Sequence, residues 1–296
     1  MFRYLNNIIE NEVQEANLDF YSVIVGTKPS MGARSPELWN KVYRYEEKKV
    51  RMVPLDVREE KLEQLFNYLK DDKYCLGGAV AVPYKEKMFN LIKDNVNEEI
   101  KAIGTVNCFY RSASGPLTVE FTGTNTDGEA ALEPIRQQLT ERQNLNICLL
   151  GYGGAGKAIL AFLGRDFKRK HKVNIFNRSP INIKNSKKSS WNSYSLNDLG
   201  SFLPDCDLLI NATSVGHLES IDVTVIPKKL LAKAKNKMIV YDIIYDPLKT
   251  TLLKNSEELG LRTLNGLRMN LIQAVLAYSY TNQTVLATEE IYEIMS

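Results

Sequence analysis

Residues 145–164 read LNICLLGYGGAGKAILAFLG. An apolar run from Leu145 to Leu150 meets Gly151-x-Gly153-Gly154-x-Gly156, and a segment rich in Ala, Leu and Ile follows. In the order strand, glycine turn, helix, each glycine has a task. Gly151 makes the tight turn, Gly153 lets backbone approach a pyrophosphate, and Gly156 lets the helix pack close to the strand. Gly154 and Ala155 complete the loop, and the free N–H groups of the first helical turn favour an anion. The stretch predicts the first β–turn–α unit of a dinucleotide-binding fold.

The following strand bears on which dinucleotide. HKVNIFNRS (171–179) ends in Asn177-Arg178-Ser179. An NAD site usually ends this strand with an acid for the ribose 2′-hydroxyl, whereas arginine accommodates a 2′-phosphate. No acid is in place, and the Arg178 guanidinium can fork onto phosphate. NADP is therefore expected over NAD.

Outward from this unit, strand-like and helix-like segments alternate. FYSVIVG (20–26), VRMVPLDV (50–57) and GGAVAVP (77–83) read as strands. SPELWNKVYRYEEK (35–48), REEKLEQLFNYLKDD (58–72) and KEKMFNLIKDN (85–95) have helical spacing, the first opening on a Ser-Pro pair suited to a helix start. Such alternation predicts parallel sheets covered by helices, in two α/β domains. The polar helix LEPIRQQLTERQ (132–143) reads as a domain connector, and LRMNLIQAVLAYSY (267–280) as an apolar, packed helix.

Composition narrows the class. The 296 residues are 44% hydrophobic and 25% charged, ample for real cores without staples. A net charge of +3 is too small to point to nucleic acid. The basic stretches KNSKKSS (184–190) and PKKLLAKAKNK (227–237) read as a solvated loop and a helix face. Cys75, Cys108, Cys148 and Cys206 lie far apart, without a Cys-x-x-Cys pair, and are expected as buried thiols. With only His171 and His217, no metal site is expected. No segment is apolar enough to span a membrane, and the N-terminus lacks the order of a secretory signal. A cytoplasmic enzyme-like chain, monomeric or homodimeric, acting on a small molecule, is the expectation.

Two polar loops hold candidate chemistry. In GGAVAVPYKEKM (77–88), Lys85 follows an apolar run and a proline, at the carboxyl end of a sheet where α/β proteins keep their sites. In TGTNTDGE (122–129), Asp127 precedes a glycine. An ammonium beside a carboxylate is a workable acid–base pair for a ketone receiving hydride. Spacing alone leaves two surface charges as the plainer reading.

At this point several loops together carry a family resemblance. The chain resembles shikimate dehydrogenases over most of its length, in the right order. The family's Gly–apolar–Pro–aromatic–Lys pattern is similar to GGAVAVPYKEKM, its Ala-Val-Asn-Thr to Thr105–Cys108, and its Asn-Thr-Asp to GTNTDG. Its nucleotide loop resembles GYGGAGKA, its Asn-Arg-Thr resembles Asn177–Ser179, and its Asn-Ala-Thr-Ser-x-Gly resembles Asn211–Gly216. Asp242, Tyr245, Pro247 and Thr250 match a further run, as do Gly266, Met269 and Gln273.

The resemblance implies an N-terminal α/β substrate-binding domain plus a Rossmann-type doubly wound NADP-binding domain. The first would comprise residues 1–130 plus a returning 267–296, and the second residues 131–266. It implies Lys85 and Asp127 as the catalytic pair. Asn107, Asp127, Tyr245 and Gln273 would contact substrate. Gly151, Gly153, Gly154, Ala155, Gly156, Asn177, Arg178, Ser179, Thr213, Ile243 and Gly266 would line the cofactor.

The pattern breaks at the substrate carboxylate. The family's Pro-x-Ser-x-Ser-x-Ser-Pro stretch is here Pro29-Ser30-Met31-Gly32-Ala33-Arg34-Ser35-Pro36, so Met31 and Ala33 stand at two serine positions. Ala79 and Ala81 stand where the family usually carries Asn and Thr. Two lost hydrogen bonds to a charged group cost roughly 3–6 kcal/mol, two to four orders of magnitude in affinity. Arg34, Ser30 or Asn270 are candidate replacements, and the plainer reading of Arg34 is an exposed loop charge. His217 reads as a solvent-facing loop residue. The expectation is an NADP-dependent oxidoreductase acting on a cyclic or polyhydroxylated ketone or alcohol other than plain shikimate. The alternatives are a shikimate or quinate dehydrogenase with a rebuilt carboxylate site, and a dinucleotide-binding sensor without turnover.

Overall fold

The computed structural model describes residues 4–296 except 15, 114–118, 143, 168–170, 182–190, 218–219 and 283. The chain divides into two compact units, residues 1–126 with 271–296, and 127–270. These divisions fall four residues before and four residues after those expected from the resemblance. The segment 132–143 lies wholly in the second unit.

The first unit runs β1 (Phe20–Gly26), α1 (Ser35–Tyr45), β2 (Val50–Asp56), α2 (Leu62–Asp71), β3 (Cys75–Val80), α3 (Lys85–Ile92), α4 (Glu98–Ile103), β4 (Cys108–Ala113) and β5 (Val119–Thr124). Its sheet has the order β2-β1-β3-β4-β5. β1 is parallel to β2 and β3, but β4 is antiparallel to both β3 and β5. The expectation of parallel sheets therefore holds for β1, β2 and β3 and fails for β4 and β5. Five residues separate β4 from β5, whereas a parallel crossover needs a dozen or more. The apolar run entering GGAVAVP also leaves the sheet early. β3 stops at Val80, the Val82–Pro83 peptide is cis, and Lys85 opens α3.

The second unit runs α5 (Asp127–Leu132), α6 (Arg136–Glu141), β6 (Asn146–Leu150), α7 (Gly154–Asp166), β7 (Lys172–Asn177), β8 (Trp191–Ser195), β9 (Leu208–Asn211), α8 (Lys228–Leu231), β10 (Ile239–Asp242), α9 (Thr251–Glu258) and β11 (Arg262–Leu264). Its six strands pair in parallel in the order β11-β10-β9-β6-β7-β8. Numbered from one in chain order, that is 3-2-1-4-5-6 read from β8, the doubly wound dinucleotide-binding order. The order reverses between β6 and β9, which makes their carboxyl ends the expected cofactor crevice.

The chain then enters α10 (Leu267–Thr281), which spans the division, and ends in α11 (Thr288–Met295). In the first unit α1, α10 and α11 share one apolar cluster with the sheet, including Trp39, Tyr43, Leu271, Tyr278, Ile291 and Met295. Trp39 Nε1 donates to the Ala274 carbonyl at 3.1 Å, so the buried indole is satisfied as well as packed. All four cysteines are buried. The stretch KNSKKSS lies outside the described residues. In PKKLLAKAKNK the lysines are solvated, Lys228 pairing with Glu258 and Lys235 with Asp207.

Candidate active site

In the first unit the loops after β3, before β4 and after β5 are held by paired side chains. Thr126 N–H donates to Asn107 Oδ1 at 2.8 Å, and Asn107 Nδ2 donates to Thr126 Oγ1 at 2.8 Å. Asn125 Nδ2 donates to the Thr105 carbonyl at 3.2 Å and to Thr105 Oγ1 at 2.9 Å. All four side chains are buried. Buried polar groups must find partners, and here each Asn–Thr pair satisfies the other's loop. Val106 N–H donates to the Lys85 carbonyl at 3.1 Å, so the first residue of α3 is tied to the same loop. Lys85 itself is half-buried.

Gln273, on α10, joins this group. Asn107 Nδ2 also lies 3.5 Å from Gln273 Oε1, and Thr126 Oγ1 donates to the Gln273 carbonyl at 3.1 Å. Three expected site residues of this unit, Lys85, Asn107 and Gln273, are thus linked through one hydrogen-bonded loop system. Asp127 follows Thr126 directly, opens α5, and is 3% exposed. Thr126 was not among the expected residues. Its signal was the Asn-Thr-Asp run itself, read only for its aspartate.

The opposite group of substitutions has a common environment. Ala33, Ala79 and Ala81 all pack on the apolar cluster shared with α10. Met31 is 74% exposed. Ser30 does not offer its hydroxyl to a ligand: its Oγ and its N–H both donate to Asp56, at 2.5 and 2.9 Å. Arg34 and Asn270 are half-buried rather than fully exposed.

In the second unit the glycine loop fits a dinucleotide. Gly151 has φ +89, a backbone conformation that side chains disfavour, and a Cβ there would meet Thr213 Cγ2 at 2.9 Å. A Cβ on Gly156 would meet the Gly151 carbonyl oxygen at 2.3 Å. One on Gly153 would meet nothing within 4 Å, leaving that backbone face open at the head of α7. Gly154 and Ala155 are the first two residues of α7 and half-buried. Asn177 ends β7 half-buried, and Arg178 and Ser179 follow it exposed. Gly266 lies against β10's exit, where a Cβ would meet the Ile243 carbonyl oxygen at 1.8 Å. The loops carrying Gly151 and Thr213, and separately Gly266 and Ile243, are therefore pressed together backbone to backbone.

Beneath these loops lies a buried carboxylate. Asp242 is fully buried and accepts from Asn211 Nδ2 at 3.0 Å, Thr250 Oγ1 at 2.7 Å and Ile244 N–H at 3.2 Å. Burial raises its pKa to about 6, against the opposing pull of those three donors. Asn211 Oδ1 in turn accepts from Thr213 Oγ1 at 2.7 Å. The motif members Asn211, Asp242 and Thr250 thus brace Thr213 and Ile243 from below. Tyr245 is half-buried, its ring centre 6.4 Å from that of His217. His217 Nδ1 lies 2.7 Å from the Asp246 carbonyl, so this partly exposed loop residue also ties its loop to that of Asp246.

Burial pushes the Cys75 and Cys108 thiols up to about 12, which leaves them unreactive at neutral pH. Among the described residues no three His, Cys, Asp or Glu side chains are grouped to hold a metal ion. Among them, too, no helix is long and apolar enough to cross a membrane.

Known proteins are similar to this chain over most of its length. Residues 25–109 match the shikimate dehydrogenase substrate binding domain. A shikimate dehydrogenase (NADP(+)) of Pyrococcus abyssi is 34% identical over 202 residues, covering 68% of this chain and 70% of that protein. The corresponding Pyrococcus furiosus protein is 31% identical over 255 residues, 86% of this chain and 87% of its own. The crystal structure of shikimate dehydrogenase from Aquifex aeolicus superposes with a TM-score of 0.76 at 27% identity, covering 96% of this chain and 99% of that one. With a doubly wound nucleotide unit, a matched substrate-binding segment and these relatives, the chain belongs to the shikimate dehydrogenase family.

Proposed function

We propose that the protein is an NADP-dependent oxidoreductase of shikimate dehydrogenase type, and that Lys85 and Asp127 are its acid–base pair. The observation that carries the reading is the buried Asn107–Thr126 lock, which holds the loop bonded to Lys85 and the residue adjoining Asp127. Bound in the crevice at the ends of β6 and β9, NADP(H) supplies or takes up the hydride at the carbinol carbon. Lys85 accepts the hydroxyl proton as the alcohol is oxidised and returns it to the ketone oxygen in reduction. Asp127 holds the ammonium in position. Asn107, Gln273 and Tyr245 orient ring hydroxyls. Arg178 and Ser179 take the 2′-phosphate, which favours NADP over NAD.

The substrate is a cyclic, polyhydroxylated alcohol or ketone whose far end is less anionic than plain shikimate. Ala33, Ala79 and Ala81 support this, because three positions that resemble polar ones in the family join one apolar cluster. Shikimate or quinate itself is the second reading. It is favoured by Ser35, the retained serine of the stretch, buried at the head of α1, and by the names of the relatives. Steady-state reduction of NADP⁺ with shikimate, quinate and carboxylate-free ring polyols tests both, with Lys85→Ala as control. Turnover confined to the carboxylate-free compounds supports the first. Efficient shikimate turnover, lost in Lys85→Ala, overturns the substrate assignment and keeps the chemistry.

A further inference from the structure

The first unit carries an N-terminal segment ahead of β1 that the proposed reaction does not use. Leu5, Ile8, Ile9 and Val13 are buried, so the segment is packed onto the unit. It lies along β2, the edge strand of its sheet, where Pro54 interrupts the row of backbone donors. Asn11 completes that edge with its side chain: Nδ2 donates to the Pro54 carbonyl at 3.0 Å and Oδ1 accepts from Asp56 N–H at 2.7 Å. Glu10 N–H donates to the Asp56 carbonyl at 2.7 Å. The Asp56 backbone is thereby held on both sides, and its carboxylate holds both the hydroxyl and the N–H of Ser30. A cavity of about 700 Å³ opens beside this chain of bonds, lined by Glu10, Lys28, Met31, Asp56, Pro83 and Tyr84 among others.

We infer that Asp56 is a positioning residue that couples the N-terminal segment to the loop 27–34, so that this segment sets substrate selection. The inference rests on the reading that the loop faces the substrate, since it carries the Met31 and Ala33 positions. The carboxylate turns the Ser30 hydroxyl into the protein and leaves Met31 at the cavity. A polar position is thus withdrawn, and an apolar one presented, by a residue on the neighbouring strand. Asn11, two bonds away from the loop, governs how firmly Asp56 does so.

Hydrogen exchange of the peptide spanning residues 27–34 tests the coupling in the full-length protein, in Asn11→Ala and in Ser30→Ala. Asn11→Ala, which alters no atom of the loop, is expected to speed exchange of that peptide about tenfold, with peptides of β6 and β7 unchanged. Increased exchange confined to residues 5–14 and β2 overturns the inference. In parallel, both variants should raise the KM for whichever ring alcohol is turned over, with kcat and the KM for NADP⁺ unchanged. Equal loss of kcat and of both affinities means a merely structural role and overturns it. If no ring alcohol is turned over by the parent protein, the functional reading fails, while exchange still decides the coupling.

Discussion

Asn107 and Thr126 hold one another by two hydrogen bonds of 2.8 Å, each residue both giving and receiving. They stand on loops 19 residues apart in the chain, one tied to the Lys85 carbonyl and the other leading directly into Asp127. Thr126→Val removes the hydroxyl that accepts from Asn107 Nδ2 and so weakens the hold on that buried amide. A buried donor so weakened costs about 1–3 kcal/mol. A lower Tm together with a several-fold lower kcat is expected. Full activity in Thr126→Val would show that the lock does not position the catalytic pair.

Lys85→Ala should remove general acid–base assistance and lower kcat by about 10²–10⁴-fold. NADPH binding, followed by fluorescence titration, should be unchanged. Retained turnover would move the acid–base role elsewhere, and lost NADPH binding would mean that the fold had been damaged.

Gly156→Ala places a Cβ about 2.3 Å from the Gly151 carbonyl oxygen. The loop must shift, at a cost of roughly 1–3 kcal/mol, and both Tm and NADPH affinity should fall. Gly153→Ala meets no atom within 4 Å in the protein itself. It should therefore keep its Tm and lose affinity for NADPH only.

Arg178→Ala should weaken NADP⁺ by about 10- to 100-fold, the value of one or more charge-assisted hydrogen bonds, and leave NAD⁺ nearly unaffected. The ratio of the two kcat/KM values reads this directly. An unchanged ratio would assign 2′-phosphate recognition to other residues.

Asp242 gives the protein a pH dependence of unusual sign. Its folded value of about 6 lies above the ordinary 3.8, so the native state holds this proton more tightly than the unfolded chain does. The stabilisation is complete below the ordinary value and is lost as pH rises through the folded one. About 2–3 kcal/mol should disappear between roughly pH 4 and 6. Denaturant unfolding across that window should show the fall, and Asp242→Asn should flatten it.

Restoring serine at the carboxylate end tests the substrate argument from the other side. Ala33→Ser with Met31→Ser should lower the KM for shikimate by about tenfold or more if each hydroxyl reaches the carboxylate. No gain would mean that the loop, held by Asp56 through Ser30, does not present these positions to substrate.

The features legible in the sequence are those set by a few neighbouring residues. LNICLLGYGGAGKAILAFLG folds as read because the glycines meet local demands: positive φ at Gly151 and near contact at Gly156. Helical spacing at 35–45 and the apolar strands behave likewise, since backbone sterics and burial act within a turn or a pleat. The tertiary structure decided what joins distant residues. Five residues separate β4 from β5, and only the sheet order makes the two antiparallel, that connection being too short to cross over. Ser30 looks like a spare hydroxyl near a ligand until β2 brings Asp56 beside it. Asn211 looks like a member of a different motif from Asp242 and Thr250 until β9 and β10 pair. A hydrogen bond between such residues depends on which strands become neighbours, and that is settled by the burial of whole sheets rather than by any local preference.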